Sequence, residues 1–169
     1  MTDRLKKFWN EVITLPLPEL EQIKNTLLSK NEDDRLRALL QIRELLKNDL
    51  KAEYLELACK QIDDSDNTCR WQAIIVVGEF IKNKPETIWG IIKKYGSSDD
   101  ADMRSAIATV LLEHFFEINP HLFDDKFKEI KKLVKEEKNQ NLLNTLSMCN
   151  LWFGSDENNK KVSVFLKRV

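Results

Sequence analysis

The chain reads as an all-α protein built from stacked helical hairpins, and three observations predict it. Apolar residues recur at helical spacing along nearly the whole length. Only four glycines and four prolines interrupt 169 residues. An arginine recurs in the second helix of successive helix pairs, at Arg35, Arg70 and Arg104, a spacing of 35 and then 34 residues. Strands would need β-branched or aromatic runs bounded by Gly, Asn-Gly or Asp-Gly turns, and the sequence carries no such hairpin signal.

The first element predicted is an amphipathic helix in residues 1–15, with Leu5, Phe8, Trp9, Val12 and Ile13 on one stripe behind the N-cap candidates Thr2 and Asp3. Leu15-Pro16-Leu17-Pro18 ends it, because neither proline donates a backbone hydrogen bond and each pushes its predecessor away from helical angles. From Pro18 the periodicity predicts paired helices: 18–29 with 33–47, 51–62 with 67–83, 85–95 with 101–117, and 122–136 with 140–153. Short polar turns join the pairs: Lys30-Asn31-Glu32-Asp33, Asp63-Asp64-Ser65-Asp66, Ser97-Ser98-Asp99-Asp100 and Glu137-Lys138-Asn139. Their Asn, Asp and Ser side chains suit the free amides of the helix that follows. Val162, Phe165, Leu166 and Val169 fit a closing amphipathic helix over 158–169, so the whole chain is expected to form one domain.

The second helices superpose in detail. Three residues after the recurring arginines come Ala38, Ala73 and Ile107; seven after come Ile42, Val77 and Leu111; nine after come Glu44, Glu79 and Glu113. Four residues before them stand Asn31, Asp66 and Asp100. Ile23, Ala58, Ile92 and Phe127 share a register in the first helices. A hairpin of this size cannot bury its apolar face alone, so neighbours have to stack.

This pattern resembles the HEAT repeat family, most closely in Asp64-Ser-Asp66-Asn-Thr-Cys-Arg70-Trp-Gln-Ala73, and the resemblance covers residues 18–153. It implies a right-handed α-solenoid of about four hairpins between N- and C-terminal capping helices. It also implies that each arginine ties adjacent turns together through charge-assisted hydrogen bonds. The fourth unit departs from the pattern, with Asn139 where an arginine is expected.

Charge and composition restrict function. The net charge is −1, with 17 basic against 21 acidic residues up to Asn119 and 10 against 7 from Pro120 onward. Neither part has the basic excess that phosphate-backbone binding needs. Cys59, Cys69 and Cys149 are odd in number and widely spaced, so they outline neither a disulfide framework nor a zinc site and read as core residues in a reducing compartment. No stretch is long and apolar enough for a membrane span, and a cytoplasmic location is expected.

The chemistry-bearing residues are few. His114 between Glu113 and Phe115 has no second helix to complete a metal cage, and His121 follows Pro120 in a loop. No catalytic triad, Cys-His pair or phosphate-binding glycine loop is present, so no catalytic residue, cofactor, metal or small-molecule substrate is expected. The helix around Trp71 is apolar nearly all round, which makes Trp71 a core residue. The lysines of 126–138 sit opposite Phe123, Phe127, Ile130 and Val134 and read as a solvated face, with a docking patch as the alternative. The expected function is non-enzymatic: an adaptor, regulator or neutralising immunity protein that binds a partner protein through the inner curve of the solenoid. The expected contacts are Glu44, Glu79, Glu113, Val76 and Val110, which suit a partner with a basic surface. The alternative is a HEAT-like DNA-binding protein or alkylation-repair glycosylase, a class the resemblance also contains.

Overall fold

In the computed structural model, residues 3–96 and 98–110 are described. Among them the chain forms α1 (Asp3–Thr14), α2 (Leu20–Leu27), α3 (Glu32–Leu46), α4 (Ala52–Lys60), α5 (Asn67–Gly78), α6 (Pro85–Gly96) and α7 (Ala101–Val110), with no strand. The all-α expectation therefore holds for these residues. The fourth hairpin, the closing helix and the continuation of α7 to residue 117 lie outside the described residues.

Local chemistry explains where the helices begin. Asn31 accepts a hydrogen bond from the Asp33 amide, Asp66 from the Cys69 amide, and Asp100 from the Asp102 and Met103 amides. All three are side-chain N-caps, each satisfying donors that the first helical turn leaves without a carbonyl. Helix α2 starts with the Glu19 amide donating to the Gln22 side chain. Pro85 opens α6, where its fixed φ suits the first turn and its missing N–H costs nothing.

Two expectations need correcting. Helix α5 ends at Gly78, short of residue 83, because the Glu79 and Phe80 amides bond the carbonyls three residues back, Val76 and Val77, and tighten the chain out of α geometry. Ile13 is 52% exposed, since one residue past Val12 the helix has turned about 100° away from the stripe of Leu5, Phe8 and Val12.

The chain divides into two compact units, Met1–Phe80 and one that begins at Ile81. In the first, α3 packs on α1, α2 and α5, and α4 packs on α5. A helix with three neighbours must be apolar on most of its circumference, and α3 buries Leu36, Ala38, Leu39, Leu40, Ile42 and Leu46. In the second unit α6 packs on α7, and Ile88, Trp89, Ile92, Met103, Ala106 and Ile107 are buried.

One turn network occurs three times. Six residues before each recurring arginine, Ser29, Asp64 or Ser98 accepts a hydrogen bond through its side chain from the amide two residues on, that of Asn31, Asp66 or Asp100. The arginine Nη1 returns to the same place, donating from Arg35 to the Ser29 carbonyl at 2.9 Å, from Arg70 to Asp64 at 2.9 Å and from Arg104 to Ser98 at 2.8 Å. Arg35 also forks onto the next turn in sequence: Nε and Nη2 donate to Asp64 Oδ2 and Oδ1 at 2.7 and 2.8 Å. Arg4 of α1 adds a further clasp, donating to Asp33 at 2.8 Å and to Asp66 at 3.1 Å.

The Arg35 and Asp64 side chains are only 12% and 4% exposed, so removing one partner leaves a charge largely cut off from water. Asp64→Ala should lower the unfolding free energy by about 3 kcal/mol in urea titration at neutral pH. Burial pushes the Asp64 carboxyl up, but hydrogen bonds from Arg35 and the Asp66 amide more than offset it and hold the group below its ordinary value. Burial likewise opposes ionisation of Asp66, and the Cys69 amide with Arg4 prevails. Both carboxyls thus bind fewer protons folded than unfolded. Their stabilisation is complete above the ordinary aspartate value of about 3.9 and is lost as pH falls through the lower folded values. Stability of the native sequence should decline on acidification below about pH 4, with a shallower decline in Asp64→Ala.

Candidate functional site

Three helices of the first unit enclose an open pocket of about 350 Å³. Helix α1 contributes Leu5 and Trp9, one turn apart on the edge of its apolar stripe. Helix α3 with its C-cap contributes Leu40, Arg43, Leu46 and Lys47, and α5 with its C-cap contributes Gln72 and Glu79. The i, i+3 and i+4 spacing of the α3 residues is what places them on one side of that helix.

Polar side chains around the mouth are joined to one another. The Arg43 guanidinium lies 5.5 Å and the Lys47 ammonium 5.4 Å from the centre of the Trp9 ring, within cation–π range. Arg43 Nε is 3.5 Å from Glu79 Oε1, and Lys47 Nζ is 2.6 Å from Glu44 Oε2. Two of the expected contact residues are thus brought to one place. Glu79 borders the pocket and Glu44 is linked to it through Lys47. Neither is a bare carboxylate: one pairs across helices and the other within a helical turn.

Val76 and Val110 are withdrawn from the expected contact set, being 0% and 1% exposed. Helix α5 is buried continuously from Gln72 to Gly78, so it has no outward apolar position at Val76. Leu40 and Ile75 are buried as well, although Leu40 lines the pocket. Trp71, expected in the core, is half-buried, because the fully buried arc of α5 begins one residue later. Glu113, His114, His121, Cys149 and the lysines of 126–138 lie outside the described residues.

Sequence reasoning passed over Gln72, whose side chain is entirely buried. Among the described residues neither its Oε1 nor its Nε2 has a hydrogen-bond partner. The signal was present: counted from the recurring arginines, its register equivalents are Arg37 and Ala106, and its own neighbours Ala73 to Val77 are all apolar. Trp9 was marked only as part of the first helix's apolar stripe, and Arg43 and Lys47 were unmarked, since their meeting depends on how α1 lies on α3.

Among the described residues no three His, Cys, Asp or Glu side chains converge as a metal site, and no helix is long and apolar enough to cross a membrane. Burial pushes the Cys69 thiol well up and, with Glu56 adding to it, the Cys59 thiol also, so both are protonated at neutral pH.

Arg43 and Glu79 are each 29% exposed, a setting in which ion pairs contribute little. A double-mutant cycle with Arg43→Met and Glu79→Gln should return a coupling below about 1 kcal/mol that shrinks as salt is added. No family model matches the sequence, and neither a curated protein nor a solved structure matches it.

Proposed function

We propose that the chain is a HEAT-like α-solenoid of about four stacked hairpins between capping helices. It works as a non-enzymatic interaction module, an adaptor, regulator or neutralising protein of the immunity type, that binds a partner protein in the cytoplasm. The observation that carries this reading is the turn network repeated around Ser29, Asn31 and Arg35, around Asp64, Asp66 and Arg70, and around Ser98, Asp100 and Arg104. The same hydrogen bonds at the same offsets are expected of structural repeats, and repeats place equivalent side chains of successive second helices in a row.

The contact surface proposed is the row Glu44, Glu79 and Glu113, with the pocket of the first unit opening beside its first two members. Glutamates already paired with Arg43 and Lys47 can exchange those partners for arginine or lysine side chains of another protein. That exchange gives selectivity and faster association more than raw affinity.

The test is capture of a partner on the immobilised full chain, followed by measurement of its affinity for the neutralised variant Glu44→Gln, Glu79→Gln. Helicity and melting should be nearly unchanged, and binding should weaken several-fold, with a loss that diminishes at high salt. A captured partner that binds the variant as tightly as the native chain overturns the proposed contact surface.

A further inference from the structure

We propose that the seam between α3 and α5, on the side that α1 covers, is a docking groove for an amphipathic helix of the partner protein, and that α1 is its built-in competitor. This rests on the interaction-module reading and adds the mode of docking and its control.

The position of α1 is the starting point. A helix that merely ended a row of hairpins would touch α3, and α3 would screen it from α5. Here α1 packs on α3 and reaches α5 as well. Arg4 donates to Asp33 in the first turn of α3 and to Asp66, the N-cap of α5. Leu5 and Trp9 share the pocket with Glu79, the C-cap of α5. Helix α1 therefore lies along two successive second helices and not beyond the first. The groove is continuous with the proposed contact surface, since Arg43 and Lys47, which face the Trp9 ring, are also the partners of Glu79 and Glu44.

The covered face of α3 is charged as well as apolar, and α1 answers it side chain by side chain. Glu11 pairs with Arg37 at 3.5 Å, and the Phe8 ring centre lies 4.9 Å from the same guanidinium. Arg4 and Arg37 are each 31% exposed, a setting in which ion pairs contribute little and weaken with salt, so most of the hold on α1 comes from buried Leu5, Phe8 and Val12. The tether permits release. Pro16 and Pro18 have no amide hydrogen, among the described residues no backbone hydrogen bond holds Leu17, and Leu15 and Leu17 are both exposed. A helix of 12 residues is marginal in water without support, so α1 leaves the groove as an unfolded strap. What replaces it has to repeat its pattern: an arginine near the start, aromatic residues four and five positions on, an acid at the seventh, and apolar residues at helical spacing.

The experiment uses the isotopically labelled full chain and, as probe, an unlabelled synthetic peptide of residues 1–19. Affinity is read from the anisotropy of a fluorescein tag on the probe. Displacement is read by hydrogen exchange in the mass spectrometer, where the label separates the chain's own α1 from the probe. Bound probe should unprotect the α1 amides of the chain and leave those of α3 and α5 protected. Apparent affinity scales with the fraction of chain whose groove is free. Phe8→Ala in the chain should therefore tighten probe binding about tenfold or more, because deleting a buried phenyl shifts such an equilibrium by roughly a hundredfold. Arg4→Ala, which leaves the apolar stripe whole, should tighten it by about twofold to fivefold, and by less at high salt. A probe that itself carries Phe8→Ala should bind about tenfold more weakly or worse. Binding that leaves α1 protected, equal affinity of the native and both variant chains, or a native dimer that the probe dissociates would each overturn the proposal, the last by making a second copy's α1 the occupant. If a captured partner that depends on Glu44 and Glu79 binds the Phe8→Ala chain no better than the native one, the groove is wrong and the interaction module stands. If the partner gains affinity with Phe8→Ala and is indifferent to Glu44→Gln, Glu79→Gln, the groove stands and the glutamate row is wrong.

Discussion

The fork from Arg35 to Asp64 is the constraint on which the first unit depends. It joins two turns 29 residues apart, both charges are almost out of water, and the guanidinium spends its third nitrogen on the carbonyls of its own turn. A planar fork meeting a carboxylate fixes direction as well as distance, which a lysine could not do. With the start of α3 held to the turn before α5, the two helices have little freedom to slide past each other. Arg4 makes the same kind of clasp from α1 onto Asp33 and Asp66. The pocket is a consequence, since its walls come from the three helices whose ends these arginines hold.

Features governed by nearest neighbours along the chain were legible in the sequence. The N-caps Asn31, Asp66 and Asp100 depend on contacts within three residues, and each one stands where turn chemistry put it. The arginine register was legible too, because a periodic signal survives ignorance of the packing. What each arginine touches was not. The family resemblance implied ties between turns, but Asp64 as the acceptor for Arg35, and Arg4 as a member of the set, follow from the placement of helices. Burial was misjudged for a related reason. Helical phase says which residues share a face, and the number of neighbouring helices decides how many faces are covered. Val76 was assigned outward on phase alone, while α5, touching both α3 and α4, hides its whole circumference from Gln72 to Gly78. Glu44 and Glu79 kept their places near the surface; the Lys47 partner of Glu44 lies within one helical turn, as helix spacing allows, whereas the Arg43 partner of Glu79 comes from another helix and follows from packing.

The agreement between local preference and tertiary packing is otherwise close in the first unit: capped starts, apolar faces that match the number of neighbours, and ionic side chains that are paired where they are half-buried. In a sequence so consistent, a residue that contradicts its surroundings carries information. Arg35 and Asp64 are polar and sheltered, and the clasp between them explains both. Gln72 is polar and sheltered with no such clasp, on the helix least tolerant of it. If the position served packing alone, any aliphatic side chain of similar volume would serve it better, and the equivalent residues Arg37 and Ala106 indicate that the register itself imposes no amide. The arginine clasps satisfy themselves within the fold, whereas Gln72 is a described position of the first unit at which side-chain chemistry and packing disagree.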